Sequence, residues 1–352
     1  MSGKPRRAGI IGLGRMANGH IRNLLSLERT AITAICDVNE SAVKSKGEEL
    51  GLPEHKRYRN YEELIDDPEV DFVISVVSNQ FHYNILKKCI EAGKPVLSEK
   101  PFTRTMEEAE ELLALYRERP IPCMIGFSYR YVPAFRYIKG LLERQEIGRI
   151  RHFAAHYLQE ENVPMHNQPY AWRFSKEAAG SGVLADIGSH MIDAARYFVG
   201  EFQTVSAMMA TFVDERINPL TNQPAKVDVD DFTSFQGVLE GGVMGTFYTH
   251  KNAVGTRNEF KLTIYGDNGT IEACVEQPQT VRLCVRRGPG EPLFDQTIQL
   301  PQERNRVMLE DFLAYMEDPT MVQIPTFMDG YRNQKVLQLI LESAAEGVAK
   351  RD

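Results

Sequence analysis

Residues 7–20 read RAGIIGLGRMANGH: an apolar run, two closely spaced glycines, then a helical pattern. Gly12, Gly14 and Ala17 stand in G-x-G-x-x-A spacing. Glycine at 12 permits a tight turn, and glycine at 14 lets a pyrophosphate reach the backbone. A small residue at 17 lets the next helix lie close to the sheet, with its N-terminus toward the phosphate charge. Asp37 closes the next apolar run, TAITAICD (30–37), twenty residues past Ala17. A carboxylate there accepts both hydroxyls of a dinucleotide ribose and repels a 2′-phosphate. Val38 and Asn39 bring no cation to offset that repulsion, so NAD is expected over NADP. Gly12, Leu13, Gly14, Arg15, Met16, Asp37 and Val38 are the expected cofactor contacts of this region.

Three more apolar runs follow: DFVISVVS (71–78), KPVLSEKP (94–101) and IPCMIGF (121–127). Amphipathic helical patterns lie between the runs, at 16–28, 39–51, 80–93 and 105–120. Continuous apolar strands alternating with helices predict a doubly wound parallel sheet covered on both faces, the Rossmann arrangement, over 1–126. Ligands of such sheets sit beyond the strand C-termini. That places Ser78, Asn79 and His82 after one strand, and Glu99 and Lys100 after the next, against the cofactor. Lys100 is expected to project toward the nicotinamide.

Beyond residue 126 the period changes. A helix is expected near 133–145, then period-2 strands in RIRHFAAHYLQ (149–159) and in six segments between 204 and 287. Hairpin turn signals stand at 240–242 (EGG) and 266–269 (GDNG). Two helices close the chain near 304–316 and 327–349. The pattern predicts a second α+β domain over 127–352 with a large, open, mostly antiparallel sheet, its final helix packing back toward the first domain. The chain carries 41 basic and 48 acidic residues, a mild acidity that argues against a nucleic-acid surface. The five cysteines form no C-x-x-C, and three sit in apolar patterns, as reduced buried thiols do. No signal-peptide or membrane-spanning pattern occurs, and a cytoplasmic protein is expected. No His/Cys/Asp cluster has zinc spacing, so no metal is expected.

GSGVLADIGSHMID (180–193) reads as helical despite three glycines, each costing about 1 kcal/mol in a helix interior relative to alanine. At α-helical spacing Asp186, His190, Asp193 and Tyr197 fall within a stripe about 60° wide, away from the apolar stripe of Leu184, Ile187, Met191, Ala195 and Phe198. Short acids beside a histidine suit a concave site better than a solvated face. Gly180, Gly182 and Gly188 are expected to give close backbone approach to cofactor or substrate. His152 and His156, four apart on a strand, share one face and either reach the pocket or line the sheet.

With these motifs in hand, the chain resembles the glucose–fructose oxidoreductase/inositol dehydrogenase/MocA (Gfo/Idh/MocA) family. The resemblance rests on GLGRMANGH (12–20), EKP (99–101), GFSYRYVPAF (126–135) and GSGVLADIGSHMIDAARYFVG (180–200). YGDNGTIE (265–272) and FMDGYRNQKVLQLILES (327–343) extend it over essentially the whole chain. It implies a Rossmann domain followed by a sheet domain that packs face to face in homodimers or homotetramers. It implies hydride transfer between a nicotinamide cofactor and a hydroxyl of a sugar or cyclic polyol. By position Lys100 matches the family's active-site lysine, Asp186 and His190 its D-x-x-x-H pair, and Asp193 a further substrate-contacting acid. Arg130 of GFSYRY is expected against substrate. The segment with Trp172 and Arg173 resembles sugar dehydrogenases more than the simplest inositol enzymes, and both are expected at the substrate, Trp172 otherwise filling the core and Arg173 otherwise contacting the cofactor.

The expected reaction is NAD-dependent oxidation of a secondary ring hydroxyl of an inositol or monosaccharide-like polyol. His190 takes the proton and Lys100 steadies the alkoxide, or Lys100 itself transfers the proton. Two rivals keep the same fold: a glycosidase working by transient oxidation and elimination, and a non-catalytic NAD-binding regulator.

Overall fold

The computed structural model describes residues 4–302 and 307–352. They divide into two compact units, Met1–Gly126 with Arg306–Arg332, and Phe127–Asn305 with Asn333–Asp352.

In the first unit six parallel strands form one sheet: β1 (Arg6–Ile11), β2 (Thr30–Cys36), β3 (Arg57–Tyr58), β4 (Phe72–Ser75), β5 (Val96–Ser98) and β6 (Cys123–Ile125). Their order, β3-β2-β1-β4-β5-β6, is the Rossmann order with its reversal beside β1. Helices α1 (Ala17–Leu25), α2 (Glu40–Glu49), α3 (Tyr61–Asp66), α4 (His82–Glu91) and α5 (Met106–Glu118) connect the strands. Asn39 and Asn60 cap α2 and α3 through side-chain oxygens, and Thr105 with Glu108 forms a capping box on α5. Neither β3 nor α3 was expected from the sequence. A two-residue strand has no period to detect; side chains anchor this one, with the Tyr58 hydroxyl donating to Asp67 (2.9 Å) and the Lys56 ammonium bridging to the same carboxylate (2.8 Å).

The second unit holds a nine-stranded sheet with two further strands beside it. Its strands in chain order are β7 (Ile150–Leu158), β8 (Phe202–Ala210), the two-stranded ribbon β9 (Glu215–Ile217) and β10 (Pro224–Lys226), β11 (Phe232–Leu239), β12 (Val243–His250), β13 (Glu259–Gly266), β14 (Gly269–Cys274), β15 (Thr280–Val285), β16 (Phe294–Gln299) and β17 (Lys350–Arg351). The sheet order is β16-β15-β14-β13-β7-β12-β11-β8-β17. All its described pairings are antiparallel except β7 with β12, which run parallel. The expected period-2 strands and both hairpin turns are present; β9, β10, β16 and β17 are too short or too polar to announce themselves. Helix α6 (Pro133–Glu143), the short α7 (Lys176–Ala179), a π-turn (Leu184–Gly188) and α8 (Ser189–Phe198) follow the order of the chain. The core joins α6 and α8 to one sheet face through Phe135, Ile138, Met191, Phe198, Phe153 and Phe247.

Two helices precede the terminal strand β17, α9 (Met308–Glu317) and α10 (Phe327–Glu346); the expected helix start at 304 lies outside the described residues. The second unit departs from the expected 127–352 because 306–332 belongs to the first unit. Aromatic packing accounts for this: Phe312 of α9 meets Phe72 of β4 edge-on at 6.0 Å, and Phe327 stacks on Tyr116 of α5 at 3.9 Å. Tyr331 also stays with the first unit, donating to Glu110 (2.7 Å). All five cysteines are free thiols. No helix among the described residues is long and apolar enough to cross a membrane.

Candidate active site

In the first unit the glycine turn follows β1 directly. Gly12 has φ +89°, and a Cβ there would lie 2.3 Å from the Val76 carbonyl oxygen, so backbone and packing both demand glycine. At Gly14 a Cβ would meet nothing within 4 Å. The protein's own packing therefore does not call for glycine at 14; the space in front of it suits an approaching phosphate. Gly14, Arg15 and Met16 are exposed, as is Val38. The Asp37 carboxylate accepts the Leu13 amide (2.7 Å) and the Asn39 amide (2.8 Å), which fixes it at the end of β2 beside the turn.

The next two strand ends are tied together. The Glu99 amide donates to Ser75 O (3.0 Å), and a Glu99 oxygen lies 2.9 Å from Nε2 of His20 on α1. A Cβ at Gly126 would stand 2.9 Å from the Glu99 carboxylate, so glycine there makes room for it. Asn79 is buried, while Ser78, Glu99 and Lys100 are partly exposed. His82 is fully buried, with Nδ1 2.6 Å from Pro101 O and Nε2 3.2 Å from Val77 O. Burial pushes its imidazole below the ordinary histidine value. It joins the loops that carry Ser78 and Lys100.

In the second unit Asp186 and His190 straddle the π-turn and α8. The polar row is thus not one straight α-helical stripe, since a π-turn closes i to i+5. His190 is 7% exposed and sits among aromatic rings, with centroids 4.5 Å from Tyr129 and 6.3 Å from Tyr157. The two tyrosine hydroxyls are hydrogen-bonded to each other. The Tyr157 hydroxyl donates to Asn258 Oδ1 (2.6 Å), the same oxygen accepts Gln159 Nε2 (2.8 Å), and Asn258 Nδ2 donates to the Tyr129 hydroxyl (3.1 Å). Burial pushes both phenols upward, so they stay neutral donors near neutral pH. Asp186 is ion-paired with Lys251, which also lies 3.5 Å from Glu161. Asp193 and Arg130, both expected against substrate, are paired with each other at 2.6 Å in a buried, two-pronged contact. The Arg130 guanidinium also stacks 5.1 Å from the Tyr197 ring. Arg173 lies over the Trp172 ring at 4.4 Å.

The glycines of the opening helix turn do something other than expected. A Cβ at Gly182 would lie 1.8 Å from the Asp230 backbone oxygen. Asp230, buried, caps this start: its carboxylate accepts the amides of Gly182 (2.6 Å) and Leu184 (2.9 Å) and the Thr233 hydroxyl (2.7 Å). Gly180 has φ +83°, and Gly188 packs against Leu184. The close approach at Gly182 is therefore to the chain leading into β11.

Comparison with known proteins follows the same division. Residues 6–127 match the oxidoreductase family with an NAD-binding Rossmann fold, and residues 135–272 match the GFO/IDH/MocA C-terminal domain. The chain belongs to the Gfo/Idh/MocA family. It is 30% identical to levoglucosan dehydrogenase of Pseudarthrobacter phenanthrenivorans, over 96% of both chains. It is 26% identical to myo-inositol 2-dehydrogenase of Thermotoga maritima, over 93% of this chain and 88% of that one. A solved levoglucosan dehydrogenase in complex with NADH superimposes with a TM-score of 0.91 at 28% identity, covering 99% of each chain.

The residues of this Gfo/Idh/MocA chain that local reading missed are Lys251, Glu161, Tyr157, Gln159, Asn258 and Asp230. Part of the signal was present. Val243, Gly245, Phe247 and Thr249 of β12 are buried on the helix side, and Lys251 continues that parity. Phe153, Ala155 and Tyr157 of β7 do the same, and Gln159 follows. Polar residues that extend a buried period-2 row at the C-terminal ends of the parallel pair are the signal that could have found them. His152 and His156 have the opposite parity. They line the outer sheet face, where His152 stacks on Tyr265 (5.4 Å) and His156 bonds Glu259 (2.8 Å).

Proposed function

We propose that this oxidoreductase is an NAD-dependent dehydrogenase acting on a secondary hydroxyl of a cyclic polyol or sugar. The observation that carries the reading is the wall of the second unit, where Asp186 and His190 stand among neutral hydroxyl and amide groups of Tyr129, Tyr157, Gln159 and Asn258. A ring bearing several hydroxyls needs many neutral donors and acceptors and few net charges. The likeness to levoglucosan and myo-inositol dehydrogenases supports the same substrate class.

In the proposed reaction His190 accepts the hydroxyl proton while the carbon loses a hydride and becomes a carbonyl. When bound, the nicotinamide supplies the hydride acceptor. The Lys100 ammonium donates to the oxygen as negative charge builds there. Asp186 accepts a neighbouring substrate hydroxyl and so orients the ring, and Trp172 with Arg173 bounds the substrate. Gly12 to Met16 and Asp37 hold the dinucleotide; Asp37 accepts ribose hydroxyls and repels a 2′-phosphate, which favours NAD over NADP.

The test is a panel of levoglucosan, inositols and free and phosphorylated monosaccharides under NAD and under NADP, followed at the reduced-nicotinamide absorbance. We expect stoichiometric NADH from at least one uncharged ring polyol and a markedly weaker response with NADP. A glycoside cleaved without net NADH would replace this reading with transient oxidation and elimination, and no turnover of any member would overturn it.

We further propose that the outer sheet face packs on a second copy, as a homodimer or homotetramer. Met208 (73% exposed) and Tyr248 (42%) line a concavity of ≈ 540 Å³ on it, and Met244 (50%) stands on the same face, an uncovered apolar surface of the kind that marks interfaces. Light scattering should give a multiple of the chain mass, with Met208→Glu plus Tyr248→Glu shifting it to the monomer. A wild-type monomer would remove the proposal.

A further inference from the structure

We infer that Lys251 is a positioning residue for the Asp186 carboxylate, and that this ion pair sets how the site holds its substrate hydroxyl. The inference rests on the functional reading above for the role of Asp186, but on its own geometry for the role of Lys251.

The Lys251 side chain is only 8% exposed, and its ammonium contacts an Asp186 oxygen, with a Glu161 oxygen at 3.5 Å. Asp186 keeps 24% and Glu161 47% of side-chain exposure. The amine is thus the buried member and the carboxylates are the members nearer solvent. An ammonium with its stem in the core cannot follow a moving partner, so it fixes the carboxylate instead. The backbone holds it as firmly. The Lys251 amide donates to Asp231 O (3.3 Å), and the Lys251 carbonyl accepts the Asn162 amide (2.9 Å). The neighbouring Asp230 carboxylate caps the turn that carries Asp186 (2.6 Å to the Gly182 amide, 2.9 Å to the Leu184 amide).

One short stretch of chain, 230–231, therefore references both ends of the pair. Through the caps at Gly182 and Leu184 it fixes where the Asp186 backbone lies; through Asp231 O it fixes where the Lys251 backbone lies. A bare aspartate at a π-turn would have two χ angles to search. With one oxygen given to Lys251 it has one orientation, and the substrate hydroxyl meets a carboxylate already in place. Glu161 shares the same ammonium from the loop after β7, and so ties that loop to the pair.

The test uses the full-length enzyme with the polyol that it turns over best. Lys251→Met is expected to lower kcat/KM about 10–100-fold, the order that a misplacement near 1 Å costs, chiefly through KM. NADH affinity by fluorescence titration stays within about twofold because Lys251 lies outside the nucleotide unit. Lys251→Gln, whose N–H donor is uncharged and one bond shorter in reach, loses less than Lys251→Met yet stays below wild type, and it serves in place of the Met variant should that fail to fold. Asp186→Asn combined with Lys251→Met should be no slower than Asp186→Asn alone, because the lysine acts through the aspartate. Losses that multiply in the double variant, or wild-type kcat/KM in Lys251→Gln, would overturn the inference. If the wild-type enzyme oxidises no polyol, the functional reading falls, and crystal structures of the wild-type and Lys251→Met proteins decide this inference separately. A displaced Asp186 carboxylate supports positioning, and an unmoved one refutes it.

Discussion

Lys100→Met and His190→Asn are each expected to reduce kcat by about 10²–10⁴-fold, the range for removing a positioned proton-transfer or charge-stabilising group. NADH binding should survive both changes. In the proposed reading the nucleotide is held by the glycine turn and Asp37, and His190 lies in the second unit. Asparagine is preferred to alanine at 190 because the imidazole is 7% exposed and packed 4.5 Å from the Tyr129 ring centroid, so truncation would open a cavity in addition to removing the base. Steady-state rates with a fluorescence titration of NADH measure the two quantities separately. If the chemistry is divided as proposed, the His190 variant recovers as pH rises and hydroxide assists proton removal, while the Lys100 variant does not recover. Turnover within tenfold of wild type in either variant would remove that residue from the mechanism.

The second large effect is on stability. Gly182→Ala places a methyl 1.8 Å from the Asp230 oxygen. The contact is backbone on one side and a capped turn on the other, so neither can yield cheaply. The turn either moves off Asp230, leaving a buried carboxylate without its amide donors, or the chain into β11 is pushed aside. A loss of about 2–4 kcal/mol follows, and a melting temperature lower by roughly 5–15 °C for a unit of this size. Gly14→Ala is the internal control. A methyl there meets nothing within 4 Å, so its melting temperature should stay within about 1–2 °C of wild type, while NADH binding weakens because the methyl takes the space left for a phosphate. Calorimetry of the two variants side by side tests both glycines. Equal melting temperatures would show that Gly182 is not held as described.

These two glycines show what kind of information lies where. The strand–turn–helix unit of Gly12, Gly14, Ala17 and Asp37 was legible because every requirement is local: a strand, a turn and a helix follow one another within a few residues, and the alternation of apolar runs and helices carries the rest. The large sheet was legible for the same reason, since period 2 is written along each strand. Asp186 and His190 were legible as a pair, but not what holds them. The π-turn that carries Asp186 has no local signature, and the row expected from 100° per residue is broken there.

Residue order and periodicity alone specified the two fold classes, the succession of the longer elements and the residue types available for hydride and proton chemistry. Tertiary structure decided the assignments. It gave Gly182 to Asp230, Asp193 to Arg130 and Asp186 to Lys251, and it returned 306–332 to the first unit through Phe312 and Phe327. The physical reason is range. Backbone periodicity is set by neighbours three or four residues away, whereas the Lys251 ammonium meets a carboxylate 65 residues distant in the chain, a contact that exists only once the sheet and the helix have packed.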